Sequence, residues 1–112
     1  MAENKTNPNT ENKIQEMQIL EQNLQNILVQ KQTFQIELSE TQSALKELEK
    51  SKDEVYKIIG QLMLKTEKNR IKEELTNKEK FIEMRLKSIE KQEEKFSDKL
   101  EEIREDIIKL IK

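Results

Sequence analysis

The sequence predicts a mainly α protein, a long antiparallel two-helix coiled coil connected by a single β-hairpin that assembles with other subunits into a β-barrel platform. Three observations lead to this fold class. Two long stretches without Gly or Pro carry apolar residues at alternating steps of three and four. Between them the period changes to two around Gly60, the only glycine of the chain. The 112 residues are 39% charged and 33% apolar, which suits paired helices better than a globular core.

The residue types that are missing exclude most catalytic sites. The chain has no His and no Cys, so we expect no zinc site, no thiol nucleophile and no Ser-His triad. A single Gly cannot build the Gly-rich loop that cradles the phosphates of a nucleotide. We therefore predict that the protein is not an enzyme and uses no metal and no cofactor.

Charge and hydropathy limit the partners in the same way. No apolar run approaches the roughly 20 residues that span a membrane, and the polar N-terminus is unlike a signal peptide. Basic and acidic residues are interleaved and the net charge is −2, which argues against a basic face for nucleic acid. We expect a soluble, cytoplasmic protein that binds neither membranes nor nucleic acid.

The N-terminal half is predicted to contain a tail and the first helix. Residues 1–13 are polar and include Asn7, Pro8 and Asn9, which is typical of a disordered segment. Residues 14–50 predict a coiled-coil helix whose seam is interrupted by Lys31 and Thr41. Its apolar seam positions are Met17, Leu20, Leu24, Ile27, Phe34, Leu38, Leu45 and Leu48.

The hairpin is predicted within residues 51–66, with strands near residues 55–59 and 62–66. Gly60 followed by Gln61 is typical of a two-residue type II′ turn. We expect Tyr56, Ile58, Leu62 and Leu64 on one face and Val55, Ile59 and Met63 on the other. An isolated hairpin with two apolar faces and two open edges is marginal in water, so subunit assembly is expected to cover it. The predicted assembly residues are Val55, Tyr56, Ile58, Ile59, Gly60, Leu62, Met63 and Leu64.

Residues 67–112 predict the second coiled-coil helix, whose seam is interrupted by Glu79 and Glu93. Its apolar seam positions are Ile71, Leu75, Ile82, Leu86, Ile89, Phe96, Leu100, Ile103, Ile107 and Leu110. The remaining faces are rich in Lys and Glu. Pairs four residues apart, such as Glu83 with Lys87 and Glu105 with Lys109, are expected to contribute about 0.2 to 0.5 kcal/mol each.

The two seams match when facing residues lie equally far in sequence from Gly60. Six apolar pairs then form, namely Met17 with Ile103, Leu20 with Leu100, Leu24 with Phe96, Phe34 with Leu86, Leu38 with Ile82 and Leu45 with Leu75. Lys31 and Glu93 fall in adjacent layers, where an ion pair could fix the register. A shift of one heptad also pairs several apolar residues, but it sets Phe34 against Glu93, so we favour the unshifted register.

The helix ends far from the hairpin are predicted to expose apolar surface. A helix over residues 14–50 is about 55 Å long, so the chain is expected to form a thin arm. In the favoured register Ile107 and Leu110 would face Lys13 and Thr10, and Ile108 and Ile111 lie off the seam. Apolar surface of this kind usually binds something.

Residues 55–60 (VYKIIG), 62–65 (LMLK) and 85–95 (RLKSIEKQEEK) resemble the β-type subunit of archaeal prefoldin. The resemblance covers roughly residues 14–112. A short link with one hairpin is similar to the β class, because α-type subunits have a longer insert with two hairpins. The resemblance implies a hexamer of two α-type and four β-type subunits, with a double β-barrel platform and six projecting arms. It also implies that the arm tips hold non-native proteins without ATP and deliver them to a group II chaperonin.

Two functions follow as hypotheses. The first is an ATP-independent holdase subunit that binds unfolded proteins at the coiled-coil tips and prevents their aggregation. The second is a structural coiled-coil adaptor that docks one defined folded partner through its apolar C-terminus. The predicted client-binding residues are Met17, Ile19, Leu20, Leu24, Ile103, Ile107, Ile108, Leu110 and Ile111.

Overall fold

The computed structural model describes residues 8–52 and 54–112 and contains two helices and one hairpin in the predicted order. Helix α1 covers Pro8–Lys50 and helix α2 covers Lys68–Ile111. Strands β1, Val55–Ile59, and β2, Leu62–Thr66, pair antiparallel in a two-stranded sheet. The predicted fold of two long helices joined by one antiparallel hairpin is confirmed, and both strands have the predicted bounds. Assembly into a barrel stays a prediction.

Helix α1 begins earlier than the sequence pattern suggested. It starts at Pro8, so the assignment of residues 8–13 to a disordered tail is wrong. The remainder of that predicted tail, residues 1–7, lies outside the described residues. Pro is favoured at the first position of a helix, and Glu11 in the first turn has a favourable interaction with the helix dipole. The extra turns reach the far end of α2, where Thr10 becomes buried.

The chain divides into two compact units. The terminal unit combines the chain up to Lys31 with Ser88–Lys112, and the hairpin unit is Gln32–Lys87. In the terminal unit the two helices run antiparallel, since the Nζ of Lys13 lies 3.2 Å from the Oδ2 of Asp106 while Lys31 pairs with Glu93. The core of this unit consists of Leu20, Leu100, Ile103 and Ile107, with Ile14, Met17, Leu24 and Phe96 packed against it.

In the hairpin unit the buried seam residues are Leu48, Ile82 and Leu86. Thr41, the predicted polar interruption, is also buried. Its hydroxyl donates a hydrogen bond to the carbonyl oxygen of Glu37 over 2.8 Å. This bond satisfies the hydroxyl within its own helix, so the buried threonine needs no partner on α2.

Contacts inside each unit agree with the unshifted register. Lys13 and Asp106 pair in the terminal unit and are separated from Gly60 by almost the same number of residues in the sequence. In the hairpin unit the guanidinium carbon of Arg85 lies 5.8 Å from the ring centre of Phe34. These two residues are also separated from Gly60 by almost the same number of residues in the sequence. The one-heptad shift would instead set Phe34 against Glu93.

The hairpin register corrects the predicted faces. Val55 lies opposite Thr66, Lys57 opposite Leu64 and Ile59 opposite Leu62, while Tyr56 lies opposite Lys65 and Ile58 opposite Met63. Directly opposite residues share a face of an antiparallel sheet. Ile58 and Met63 therefore share one face with Tyr56, and Leu62 and Leu64 lie with Val55 and Ile59 on the other. Both faces are apolar, as predicted.

The two exposed ion pairs expected four residues apart on α2 do not form. Among the described residues, Glu83 has no ion pair with Lys87, and Glu105 has none with Lys109. Exposed pairs of this kind gain little Coulomb energy in water, and ordering two long side chains costs entropy of similar size.

Gly60 occupies the first central position of the turn with φ +59°. Both two-residue hairpin turns, type I′ and type II′, require a positive φ there, which glycine adopts without steric cost. An added Cβ would meet no atom within 4 Å, so the cost of a substitution is conformational. We expect Gly60→Val to lower the free energy of unfolding by about 1 to 2 kcal/mol. Gly60→Asn should cost clearly less, and equal urea midpoints for the two variants would contradict this account.

Candidate functional site

Two polar contacts fix the base of the hairpin in the hairpin unit. The Nζ of Lys68, at the start of α2, donates to the carbonyl oxygen of Ser51 over 2.8 Å. The Nζ of Lys57 on β1 lies 3.0 Å from the Oε2 of Glu74 on α2. The hairpin is thus tethered to the helix ends through its base, while the turn at Gly60 remains exposed.

Most predicted assembly residues are exposed. Val55 is half-buried, and the other seven are exposed to solvent. Among the described residues β1 and β2 pair only with each other, so each strand has one open edge. An apolar cleft of about 670 Å³ also opens in this unit. Its apolar lining residues are Ala44, Leu48, Val55, Tyr56, Ile58, Ile71 and Leu75.

The predicted client-binding residues divide into a buried and an exposed set. Leu20, Ile103 and Ile107 are buried in the core of the terminal unit, and Met17 and Leu24 pack against that core. Leu20, Ile103 and Ile107 are therefore covered in the single chain, whereas Met17 and Leu24 are only partly buried. Client binding by these five residues stays a prediction. The tip surface that remains consists of Ile19, Ile108, Leu110 and Ile111, all of them exposed.

Ile107 is buried in the terminal unit, contrary to the sequence pattern. The sequence pattern started the helix at residue 14 and left Ile107 opposite a disordered tail. In the structure α1 continues to Pro8, and Ile14 packs against the cluster that contains Ile107. Leu110 was predicted at a seam position opposite Thr10, but it is exposed.

Sequence reasoning missed a second exposed apolar surface, formed by Phe81 and Met84 on α2. Both residues lie between seam positions, and the pattern search considered only the seam. The available signal was the presence of two large apolar side chains at positions three apart on the outer face of the helix.

The predicted ion pair between Lys31 and Glu93 is confirmed. The Nζ of Lys31 donates to the Oε1 of Glu93 over 2.9 Å, and both side chains are largely shielded from solvent. This hydrogen bond is the main reason why the pKa of Lys31 is raised above its ordinary value, and the charges of Glu93 and Glu90 act in the same direction. Burial of the ammonium group opposes the shift.

The raised pKa of Lys31 predicts how the stability depends on pH. The pKa of Lys31 is higher in the folded chain than in the unfolded chain. The stability that the charged Lys31 contributes is therefore complete at pH values below its unfolded pKa, and it is lost as the pH rises through its folded pKa. Lys31→Gln should therefore lower the urea midpoint at neutral pH. The difference in urea midpoint between Lys31→Gln and the unmodified chain should become smaller at pH values above the ordinary pKa of lysine.

A charge swap tests the geometry of the same pair. Lys31→Glu should lower the urea midpoint because two carboxylates then face each other, and adding Glu93→Lys should restore most of the loss. Additive effects of the two substitutions would contradict direct pairing.

No helix in the described part of the chain is long and apolar enough to cross a membrane. Within the same residues no group of three or more Asp or Glu side chains is arranged to hold a metal ion. The exposed apolar surfaces described above are the hairpin, the tip surface and the pair Phe81 and Met84 on α2.

Comparison with known proteins agrees with this combination of helices and hairpin. A family model described as prefoldin subunit matches residues 11–112. Prefoldin subunit beta of Thermococcus onnurineus is 42% identical over 89 residues, which cover 78% of this chain and 77% of that protein. Prefoldin subunit beta of Archaeoglobus fulgidus is 34% identical over 106 residues, or 93% of this chain and 91% of that protein. The crystal structure of the prefoldin beta subunit from Thermococcus strain KS-1 superposes with a TM-score of 0.83 at 37% identity and 90% coverage of both chains.

Two long helices joined by one exposed hairpin form the architecture that this chain shares with the prefoldin β subunit of known structure. The chain belongs to the prefoldin subunit family, a family of chaperone subunits, and its relatives named above are β subunits. Family membership implies that it assembles with other prefoldin subunits. The resemblance derived from residues 55–65 and 85–95 is confirmed.

Proposed function

We propose that this chain is a cytoplasmic, ATP-independent holdase subunit that binds unfolded proteins, prevents their aggregation and delivers them to a group II chaperonin. The observation that carries the proposal is the tip surface of Ile19, Ile108, Leu110 and Ile111. Apolar side chains exposed near the end of a helix pair offer contacts that need no specific partner shape, which suits unfolded chains. The only glycine forms the hairpin turn, so no Gly-rich phosphate loop is available for ATP.

Assembly is the second part of the proposal. The exposed residues of β1 and β2, their open edges and the neighbouring cleft suit pairing with hairpins of other subunits in a barrel. We infer a hexamer of two α-type and four β-type subunits, as in archaeal prefoldin. Several tips would then hold one client at the same time, which raises the effective affinity of contacts that are individually weak.

The tip surface is tested by replacing its exposed residues and leaving the core of the terminal unit intact. Ile108→Ser combined with Ile111→Ser should reduce aggregation suppression several-fold, because each lost aliphatic contact weakens every arm. The measurement is light scattering of a denatured protein diluted into the complex with an α-type partner. Deleting residues 103–112 would be a poorer test, because Ile103 and Ile107 belong to the core.

Ile36→Ser is the matched control, since Ile36 is 53% exposed on α1 and Ile108 is 52% exposed on α2. The control should suppress aggregation like the unmodified complex. Full suppression by the Ile108 and Ile111 double variant would refute the tip assignment. A complex that binds one folded protein and ignores unrelated unfolded chains would support the adaptor hypothesis instead.

A further inference from the structure

The core, the hairpin and the tip surface leave Phe81 and Met84 unexplained. Both side chains are exposed on α2 within the hairpin unit. They lie three residues apart and are therefore neighbours on one helix surface. We call these two residues the α2 patch. The other outward residues of α2 are mostly charged. Two adjacent large apolar side chains among them indicate an interaction surface.

Cations flank the α2 patch on both sides. The helical period places Lys80 and Lys87 along one side of the patch and Lys78 and Arg85 along the other. All four are exposed. None of the three lysines forms an ion pair with a described residue.

The positive charges around the α2 patch are only partly offset by neighbouring carboxylates. Arg85 lies over the ring of Phe34, a contact that orients the guanidinium without neutralising it. Glu79 occupies a half-buried seam position. Among the described residues, Glu83 is a helical neighbour of Lys80 and Lys87 but forms an ion pair with neither, and Glu74, a neighbour of Lys78, pairs with Lys57 instead. A locally positive face therefore surrounds the patch in a chain whose net charge is −2.

We propose that the α2 patch docks an acidic protein segment that carries apolar side chains. Aromatic and methionine side chains are preferred anchors at protein interfaces, and a rim of cations selects an acidic partner by charge complementarity. An anionic membrane fits less well, because an interfacial helix needs a continuous apolar face and Asn77 interrupts this one a turn before Phe81. The patch is separate from the hairpin and tip surfaces, so this binding does not depend on the holdase activity.

The direct test is the binding of a fluorescent peptide of Glu and Leu residues to the full-length chain in its complex, followed by fluorescence anisotropy. We expect salt-dependent binding. Combining Phe81→Ala with Met84→Ala should weaken it about tenfold, the effect expected on removing anchors of an interface. Combining Lys80→Glu with Lys87→Glu should weaken it at least as much at low salt.

Matched controls come from the same unit. Ile36→Ala removes an exposed apolar side chain elsewhere, and Lys46→Glu reverses an exposed lysine; both should leave peptide binding unchanged. Ile108→Ser with Ile111→Ser should also leave it unchanged, which separates the patch from the tip. Unaltered binding by the Phe81 and Met84 double variant would overturn the proposal. So would equal binding of a Lys and Leu peptide, or binding of phosphatidylserine vesicles without binding of the acidic peptide.

Discussion

Replacing Ile58 by Asp is expected to abolish assembly with α-type prefoldin subunits while both helices remain folded. Ile58 is 68% exposed and lies opposite Met63, so the substitution disturbs little within the chain itself. In an assembled barrel the same position would be covered, and an unpaired carboxylate buried there carries a large desolvation cost. Native mass spectrometry of the mixed subunits measures assembly, and far-ultraviolet circular dichroism measures helix content.

The control for this substitution is Met84→Asp, because Met84 is 70% exposed and lies on α2 away from the hairpin. It should assemble normally. A full-sized oligomer from Ile58→Asp would show that the hairpin does not form the subunit contact. Loss of helix content in that variant would show that β1 supports the fold of the single chain, which also contradicts the account.

Replacing Ile82 by Ala is expected to give the largest loss of stability for a single truncation. Ile82 is 2% exposed in the hairpin unit, so truncation leaves a cavity between packed side chains. Substitutions of this kind cost about 2 to 5 kcal/mol. Urea denaturation of the unmodified chain and the variant, followed by circular dichroism, gives the change in the free energy of unfolding.

The neighbouring residue provides the comparison. Phe81 is 59% exposed, and Phe81→Ala should change the free energy of unfolding by less than about 0.5 kcal/mol although it removes a larger side chain. Similar losses for the two variants would mean that the seam assigned from the heptad pattern does not carry the stability of this unit.

The strands and seams were predictable because they depend on local periodicity. The change from a helical to a two-residue period around the only glycine placed both strands at their observed bounds. The assignment of residues to the two faces failed for a geometric reason. A two-residue loop sets Ile59 opposite Leu62, so odd residues of β1 share a face with even residues of β2.

The client-binding surface was predictable only in part, because burial depends on both helices. The sequence pattern treated the residues before Ile14 as a tail, whereas α1 begins at Pro8 and Ile107 is buried in one cluster with Leu20, Leu100 and Ile103. Ile19, Ile108 and Ile111 lie off the seam and remain exposed, in agreement with their predicted positions. The α2 patch escaped notice since periodicity identifies which residues face a partner helix and says little about the outward face.

Native mass spectrometry of the chain with an α-type subunit and a protein supplied either unfolded or folded tests the central claim most directly. The account predicts a hetero-oligomer that gains the mass of the unfolded protein and gains nothing from its folded form. A chain that stays monomeric beside the α-type subunit would contradict the role of the hairpin. A hetero-oligomer that binds the folded form equally well would contradict the role of the tip surface.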